Sequence, residues 1–217
     1  MPIRASLILA SASASRAHLL TAAGLAFTQI SSDVDEEALT ATLADEAPAT
    51  VALALARAKC EAVAATLGSD PVGARVLVLG CDSLLEFDGQ TWGKPGSAEA
   101  ATARWRRQRG GHGTLLTGHW LLDIANRRAT GTTVGTEVSF VDATDQEIAD
   151  YVASGEPIGV AGAFTLEGRA GPLIAGIKGD PSNVIGLSLP TLRSMLRELG
   201  HELRDVATHA AVEDSTP

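Results

Sequence analysis

The stretch RVLVLGCDSLLEFDGQTWGKPG, Arg75 to Gly96, carries two different backbone signals in one run. Its first part, Arg75 to Gly80, is apolar without alternation, the pattern of a strand covered on both faces. Further on stands Asp88-Gly89, a dipeptide that favours a tight antiparallel turn, so residues 83 to 93 predict a hairpin. A doubly covered strand asks for helices on both sides of a sheet, and a hairpin means that the sheet is not purely parallel. The two together predict an α/β fold with a mixed, twisted sheet flanked by helices.

The neighbouring segments fit that class. Leu7 to Ala10 reads as a buried strand and Arg16 to Ala23 as a helix ended by Gly24. Residues 25 to 32 predict a second strand, and Thr50 to Leu67 a long helix closed by Gly68. Ser97 is placed to cap a helix that runs to Arg109. Residues 115 to 141 predict two strands joined near Asn126. Thr144 and Glu147 have capping-box spacing ahead of a helix over 145–153. Pro190 and Gly200 bracket the last helix. No long Pro- or Gly-rich linker interrupts the order, so residues 1–208 are expected to form one domain with two lobes around a cleft. Residues 209–217 are expected to be a flexible tail.

The totals restrict function. Of 217 residues, 45% are hydrophobic and only 4% aromatic, so the core is expected to be built from Ala, Val, Leu and Ile. No apolar run reaches the ~18 residues of a membrane span, and a cytoplasmic protein without membrane contact is expected. Cys60 and Cys81 show no paired spacing and are expected to stay reduced. The histidines form no zinc motif. A net charge of −9 argues against binding a nucleic-acid polymer. The basic run RWRRQR, Arg104 to Arg109, is distributed around its helix by the helical period. A small anion needs only a few well-placed cations.

Such cations occur. In LILASASASR, Leu7 to Arg16, three serines and an arginine follow the first strand, at a turn that suits either a helix cap or an anion seat. On the wheel of the helix from Thr50, Lys59 falls among Val51, Leu55, Val63 and Leu67. Its ammonium either snorkels along that face or enters a cleft that holds an anion. Asp82 follows VLVLGC, at or just beyond the end of the apolar strand, where α/β sheets collect ligands. It reads as a metal ligand, a general base or a turn residue. Lys94 sits between Gly93 and Pro95, in a tetrapeptide that reads first as a loop with a solvated lysine and second as a pinned cation, and GDPSN, Gly179 to Asn183, reads first as a turn and second as a ligand loop. Neither a Walker loop nor G-x-G-x-x-G is present.

Taken in order, these segments resemble the Maf family of nucleoside triphosphate pyrophosphatases. The likeness runs through LILASASASRAHLL, DVDEEAL, ALARAKCEAV, VLGCDSLLEFDGQTWGKP, DYVASGEPIGVAGAFTLEG and IKGDPSNVIGLSLPTL, from about residue 7 to 200. The resemblance implies a fold similar to inosine-triphosphate pyrophosphatases with a central cleft, and usually a homodimer. It implies hydrolysis of a nucleoside triphosphate to monophosphate and pyrophosphate, assisted by Mg²⁺ or Mn²⁺. It assigns phosphate binding to Ser13, Arg16, Lys59 and Lys94, with Arg16 and the two lysines also counted as catalytic. Asp82 matches the proton acceptor, and Glu36 an acidic position expected with Asp82 near the metal. An alternative is a nucleotide-binding regulator of cell division that needs no turnover, since the family is linked to septum formation.

Departures from the family pattern bear on substrate. Ala14 and Ser15 stand where Pro-Arg is frequent, Ser83 replaces threonine, and Phe164 stands where tyrosine is common. Gly113 falls at a histidine position. Glu167 stands where members selective for uridine and thymidine triphosphates have glutamine. A carboxylate only accepts hydrogen bonds, and guanine presents N1–H and N2–H₂ side by side. Glu167 therefore leans toward guanine-type bases, 7-methylguanosine triphosphate among them, with UTP and dTTP as competitors; its other reading is a solvated loop residue. Ser15 and Ser83 are the other candidate specificity positions.

Overall fold

The computed structural model describes residues 5–67 and 75–208. Gly68 and the tail at 209–217 lie outside the described residues. The strands are β1 (Ala5–Ala10), β2 (Phe27–Ile30), β3 (Arg75–Phe87), β4 (Gln90–Trp92), β5 (His112–Asp123), β6 (Arg128–Phe140) and β7 (Ile174–Lys178). They form one sheet in the order β2-β1-β3-β5-β6-β7, with β4 on β3. β2 and β3 run parallel to β1, and the remaining pairings are antiparallel. The mixed sheet is the one predicted.

The prediction for β3 needs correction. The strand does not end at Gly80 but continues to Phe87, so Asp82 lies inside it, opposite Gly118 of β5. The apolar run stops where the neighbour changes, while the β5 ladder carries the backbone onward. β1 pairs with Arg75 through Gly80, and β4 pairs with Leu85 through Phe87. Between them, Cys81 to Leu84 bond to β5 on one side only. The hairpin is present, with its first arm belonging to β3. Asp88 and Gly89 both take positive φ, 48° and 68°, as a two-residue turn of this hand requires.

The helices are α1 (Ala14–Ala22), α2 (Glu36–Thr42), α3 (Pro48–Thr66), α4 (Ala98–Gln108), α5 (Asp145–Ala153), α6 (Pro181–Ile185) and α7 (Leu189–Glu198). Ser97 caps α4, and Thr144 with Glu147 completes the capping box of α5. α1 begins two residues before the predicted start, because Ser13 is its N-cap and accepts from the Arg16 N–H. GDPSN caps a helix instead of only turning: Asp180 accepts from the Ser182 N–H at the start of α6.

Strand alternation divides β3 between two layers. Val76 and Val78 pack with Cys60 and Val63 of α3, and Leu84 packs with Val51 and Leu55 of the same helix. Leu77, Leu79 and Cys81 meet Leu19 and Leu20 of α1 and Leu192 and Leu196 of α7. Leu85 and Phe87 enter an aromatic cluster with Trp92, Trp105, Phe140 and Phe164. The α3 layer is very thin. A Cβ at Gly80 would stand 2.1 Å from the Ala56 carbonyl oxygen, and one at Gly118 would stand 2.2 Å from that of Ala52. The two glycines let the α3 backbone rest on the sheet. Gly118→Ala should therefore destabilise the protein by about 1–3 kcal/mol, measured as a lower urea midpoint with an unchanged m-value.

Candidate active site

A cleft of about 420 Å³ opens beside the singly paired part of β3. Its walls come from the turn into α1, from Glu36, Lys59, Asp82 and Lys94, and from the 159–167 segment. Ser13, Ser15, Arg16, Ser83 and Glu167 line it as well, so all of the sequence-predicted site residues share this cleft.

Arg16 is a buried cation in this cleft. It is only 8% exposed, and its Nε donates to the Gly186 carbonyl at 2.7 Å. Nη1 donates to Ser11 Oγ at 3.0 Å and Nη2 to Ser83 Oγ at 3.1 Å. All three acceptors are neutral. Among the described residues, no carboxylate pairs with Arg16. A buried guanidinium without a counter-ion is costly, and an anion placed beside it offsets that cost. Its field reaches His119: burial first, then the Arg16 charge, lower the imidazole pKa to about 4. His119 is thus neutral at pH 7, and its Nε2 accepts from the Ser188 N–H at 2.9 Å.

The Ser11–Ser13 turn is held from behind. Gln29 of β2 donates to the carbonyls of Ser11 and Ser13, at 2.8 and 3.2 Å. The Ser13 carbonyl also accepts from the Ala17 N–H at 3.2 Å, the first bond of α1, so Gln29 ties the turn to β2 at the point where the helix begins. Ser83, numbered beside Asp82 but on the opposite face of β3, also touches Thr117 Oγ1 at 3.0 Å. The Thr117 hydroxyl donates to the Asn183 carbonyl at 3.1 Å, so Ser83 supplies the proton between the two hydroxyls and accepts from Arg16.

On the other face, Lys59 does not snorkel to solvent. Its ammonium is buried and ion-paired with Asp82 Oδ1 at 2.5 Å and Glu36 Oε1 at 2.9 Å. One cation between two carboxylates leaves this triad with a net negative charge. Glu36 is the first residue of α2, whose N-cap Asp35 accepts from the Ala38 N–H at 2.9 Å. Among the described residues, no three His, Cys, Asp or Glu side chains converge. Two carboxylates are still the donor set a magnesium-type ion uses when substrate phosphate and water complete its shell. Lys94 is exposed and lines the same cleft, on a loop tied back by the Gly96 N–H to the Ile158 carbonyl at 3.1 Å.

Glu167 is exposed on the 166–170 turn, and buried Phe164 lines the same cleft. Sequence reasoning missed the residue that organises this turn, Glu156. Its carboxylate accepts from the Thr165 hydroxyl, from Tyr151 OH at 3.0 Å and from the Arg169 N–H at 3.0 Å. The only local sign was an acidic residue fixed between Gly155 and Pro157. At Gly113, where the resemblance leads one to look for histidine, a Cβ would stand 2.8 Å from the Glu86 carbonyl oxygen, so this backbone leaves no room for a side chain.

The model of the Maf-like protein family matches residues 6–199, and the chain belongs to that family. It is 55% identical over 197 residues to a Streptomyces coelicolor protein named nucleoside triphosphate pyrophosphatase, covering 91% of this chain and 92% of the relative. A protein of the same name from Salinispora tropica is 44% identical over 217 residues, covering 100% and 93%. One from Synechocystis sp. is 49% identical over 200 residues, covering 91% and 96%. Among the described residues, no helix is long and apolar enough to cross a membrane.

Glu156 makes the turn pH-dependent. Burial works to raise its carboxyl, but the hydrogen bonds from Thr165, the Arg169 N–H and Tyr151 outweigh it and hold the pKa below the ordinary 4.5. A depressed carboxyl stabilises the fold above the unfolded value, and that stabilisation fades as pH falls through the folded value. The Arg169 amide shift, followed by NMR, should inflect below pH 4.5 in the wild type and lose that inflection in Glu156→Gln.

Proposed function

We propose that this chain is a nucleoside triphosphate pyrophosphatase that cleaves the α–β phosphoanhydride to yield a nucleoside monophosphate and pyrophosphate. The observation that carries the reading is a buried Arg16 with no carboxylate partner, in the same cleft as the Lys59–Asp82–Glu36 triad. The first is a seat for an anion; the second places a carboxylate base beside it. Names shared by relatives at 44–55% identity support the same activity.

In this reading the α1 turn, with Ser13 and Arg16, holds phosphate oxygens. Ser83 acts on the phosphates through Arg16, by keeping a lone pair turned to the guanidinium. Lys59 moves its hydrogen bonds from Asp82 toward the α-phosphate, and Lys94 neutralises the departing pyrophosphate. Asp82 is thereby free to take a proton from water. The water oxygen bonds to the α-phosphorus as the bond from that phosphorus to the bridging oxygen breaks. The bridging oxygen leaves with pyrophosphate, and no covalent enzyme intermediate forms. Glu36 and Asp82 would hold Mg²⁺ or Mn²⁺, which when bound supplies charge neutralisation to the phosphates and acidifies water. Residues 1–208 act as one catalytic unit, and a homodimer follows from the family resemblance.

The base is read at the other end of the cleft. Phe164 offers an apolar wall and Glu167 a carboxylate with no other hydrogen-bond duty among the described residues. That pair favours the adjacent donors of guanine-type bases over uracil or thymine, whose single N–H lies between two carbonyls.

Pyrophosphate release should be measured with Mg²⁺ or Mn²⁺ on UTP, dTTP, GTP, 7-methyl-GTP and ITP. Asp82→Asn should lower kcat about 10²–10⁴-fold. Glu167→Gln should move preference from guanine-type bases toward UTP and dTTP while leaving the reaction intact. Equal, undiminished turnover in Asp82→Asn would remove Asp82 from the chemistry.

A further inference from the structure

Of the arginines in RWRRQR, three are balanced by acids on the surface. Arg106 and Arg109 face Asp145 at 3.6 and 2.7 Å, and Arg107 faces Asp88 at 3.5 Å. Arg104 differs: among the described residues it has no carboxylate partner. It is partly buried, and burial pulls its guanidinium pKa below the ordinary arginine value. Its hydrogen bonds go to main-chain oxygens. Nη1 donates to the Gly93 carbonyl at 2.6 Å, and Nη2 reaches the Lys94 carbonyl at 3.5 Å.

We propose that Arg104 is a positioning residue for Lys94, a guanidinium clamp from α4 that holds the Gly93–Lys94 backbone so that the lysine faces the cleft. This rests on the catalytic part given to Lys94 above. The clamp is one member of a set. The Gly93 carbonyl also accepts from the Gly162 N–H at 3.2 Å, and the Gly96 N–H donates to the Ile158 carbonyl at 3.1 Å. The loop is thus tied to the 158–162 segment, which forms another wall of the same cleft. Of these ties, only the Arg104 contact is charge-assisted, and such bonds are about twice as strong as neutral ones. The Arg104 guanidinium lies 5.9 Å from the centre of the Trp92 ring, one residue before the clamped glycine. Lys94 itself is exposed, and its long side chain has many rotamers. Fixing the backbone from which it springs lowers the entropy lost when it meets a phosphate.

A double-mutant cycle tests the clamp: wild type, Arg104→Ala, Lys94→Ala and the double variant, assayed for pyrophosphate release. Arg104→Ala should lower kcat/KM about ten- to a hundredfold. In the Lys94→Ala background the same change should lower it less than about twofold, because there is no ammonium left to position. Arg104→Lys, which keeps the charge and one donor without the fork, should lie between wild type and alanine. Hydrogen exchange should be faster at the Gly96 and Gly162 amides in Arg104→Ala. Equal losses in both backgrounds would make Arg104 a packing residue and overturn the clamp. Full activity in Arg104→Ala beside a crippled Lys94→Ala would overturn the clamp alone. Full activity in Lys94→Ala would overturn the part given to the lysine, and the clamp with it. If Arg104→Ala does not fold, Arg104→Lys and Arg104→Gln, each with and without Lys94→Ala, decide on the same criterion.

Discussion

The site depends on a change of neighbour along β3. The strand is parallel to β1 through Gly80 and antiparallel to β4 from Leu85, and four residues between them bond on one side only. A paired strand would fill both edges with backbone and leave no room for a ligand. The interruption opens the edge where Asp82 and Ser83 stand. Strand alternation sends their side chains to opposite faces, so a single opening reaches the α3 layer through Asp82 and the α1 layer through Ser83. The triad and the buried Arg16 therefore stay electrostatically distinct within one cleft. One has an excess of carboxylate, the other an uncompensated guanidinium.

The elements legible in the sequence were those whose physics is local. Ser97, the Thr144–Glu147 box and the Asp88-Gly89 turn act on residues within four positions of themselves, and each has the predicted role in the structure. The wheel of α3 correctly placed Lys59 among buried residues. Other features needed tertiary partners. β3 reads as finished at Gly80 because its apolar run stops there, yet the β5 ladder carries it on. α2 has no buried residue, so it leaves no amphipathic stripe to find.

The site was legible as a set of residues and much less as a set of contacts. A cluster of cations and carboxylates in family order gave the members of the cleft. Nothing in the order told that Lys59 would bridge Asp82 to Glu36, 23 residues either way, or that Ser83 would serve Arg16. Glu156 and Gln29 escaped notice because they bind backbone and hydroxyl groups of other elements. Their value is in what they leave oriented, which no spacing rule records.

The contact between α3 and the sheet has one more consequence. Gly80 and Gly118 set the height of the helix, and Lys59 springs from the helix at that height. A lysine has a fixed maximum reach, so layer thickness decides whether its ammonium arrives beside Asp82 or stops short. The two glycines thus act as a gauge for the ion pair as well as a fit for the core. Sequence drift in this layer is constrained twice over: a residue that the hydrophobic packing could absorb by lifting the helix would disconnect the lysine from the strand. A chain built this way can lose this ion pair while keeping its fold, so the pair sets a tighter limit on the layer than packing does.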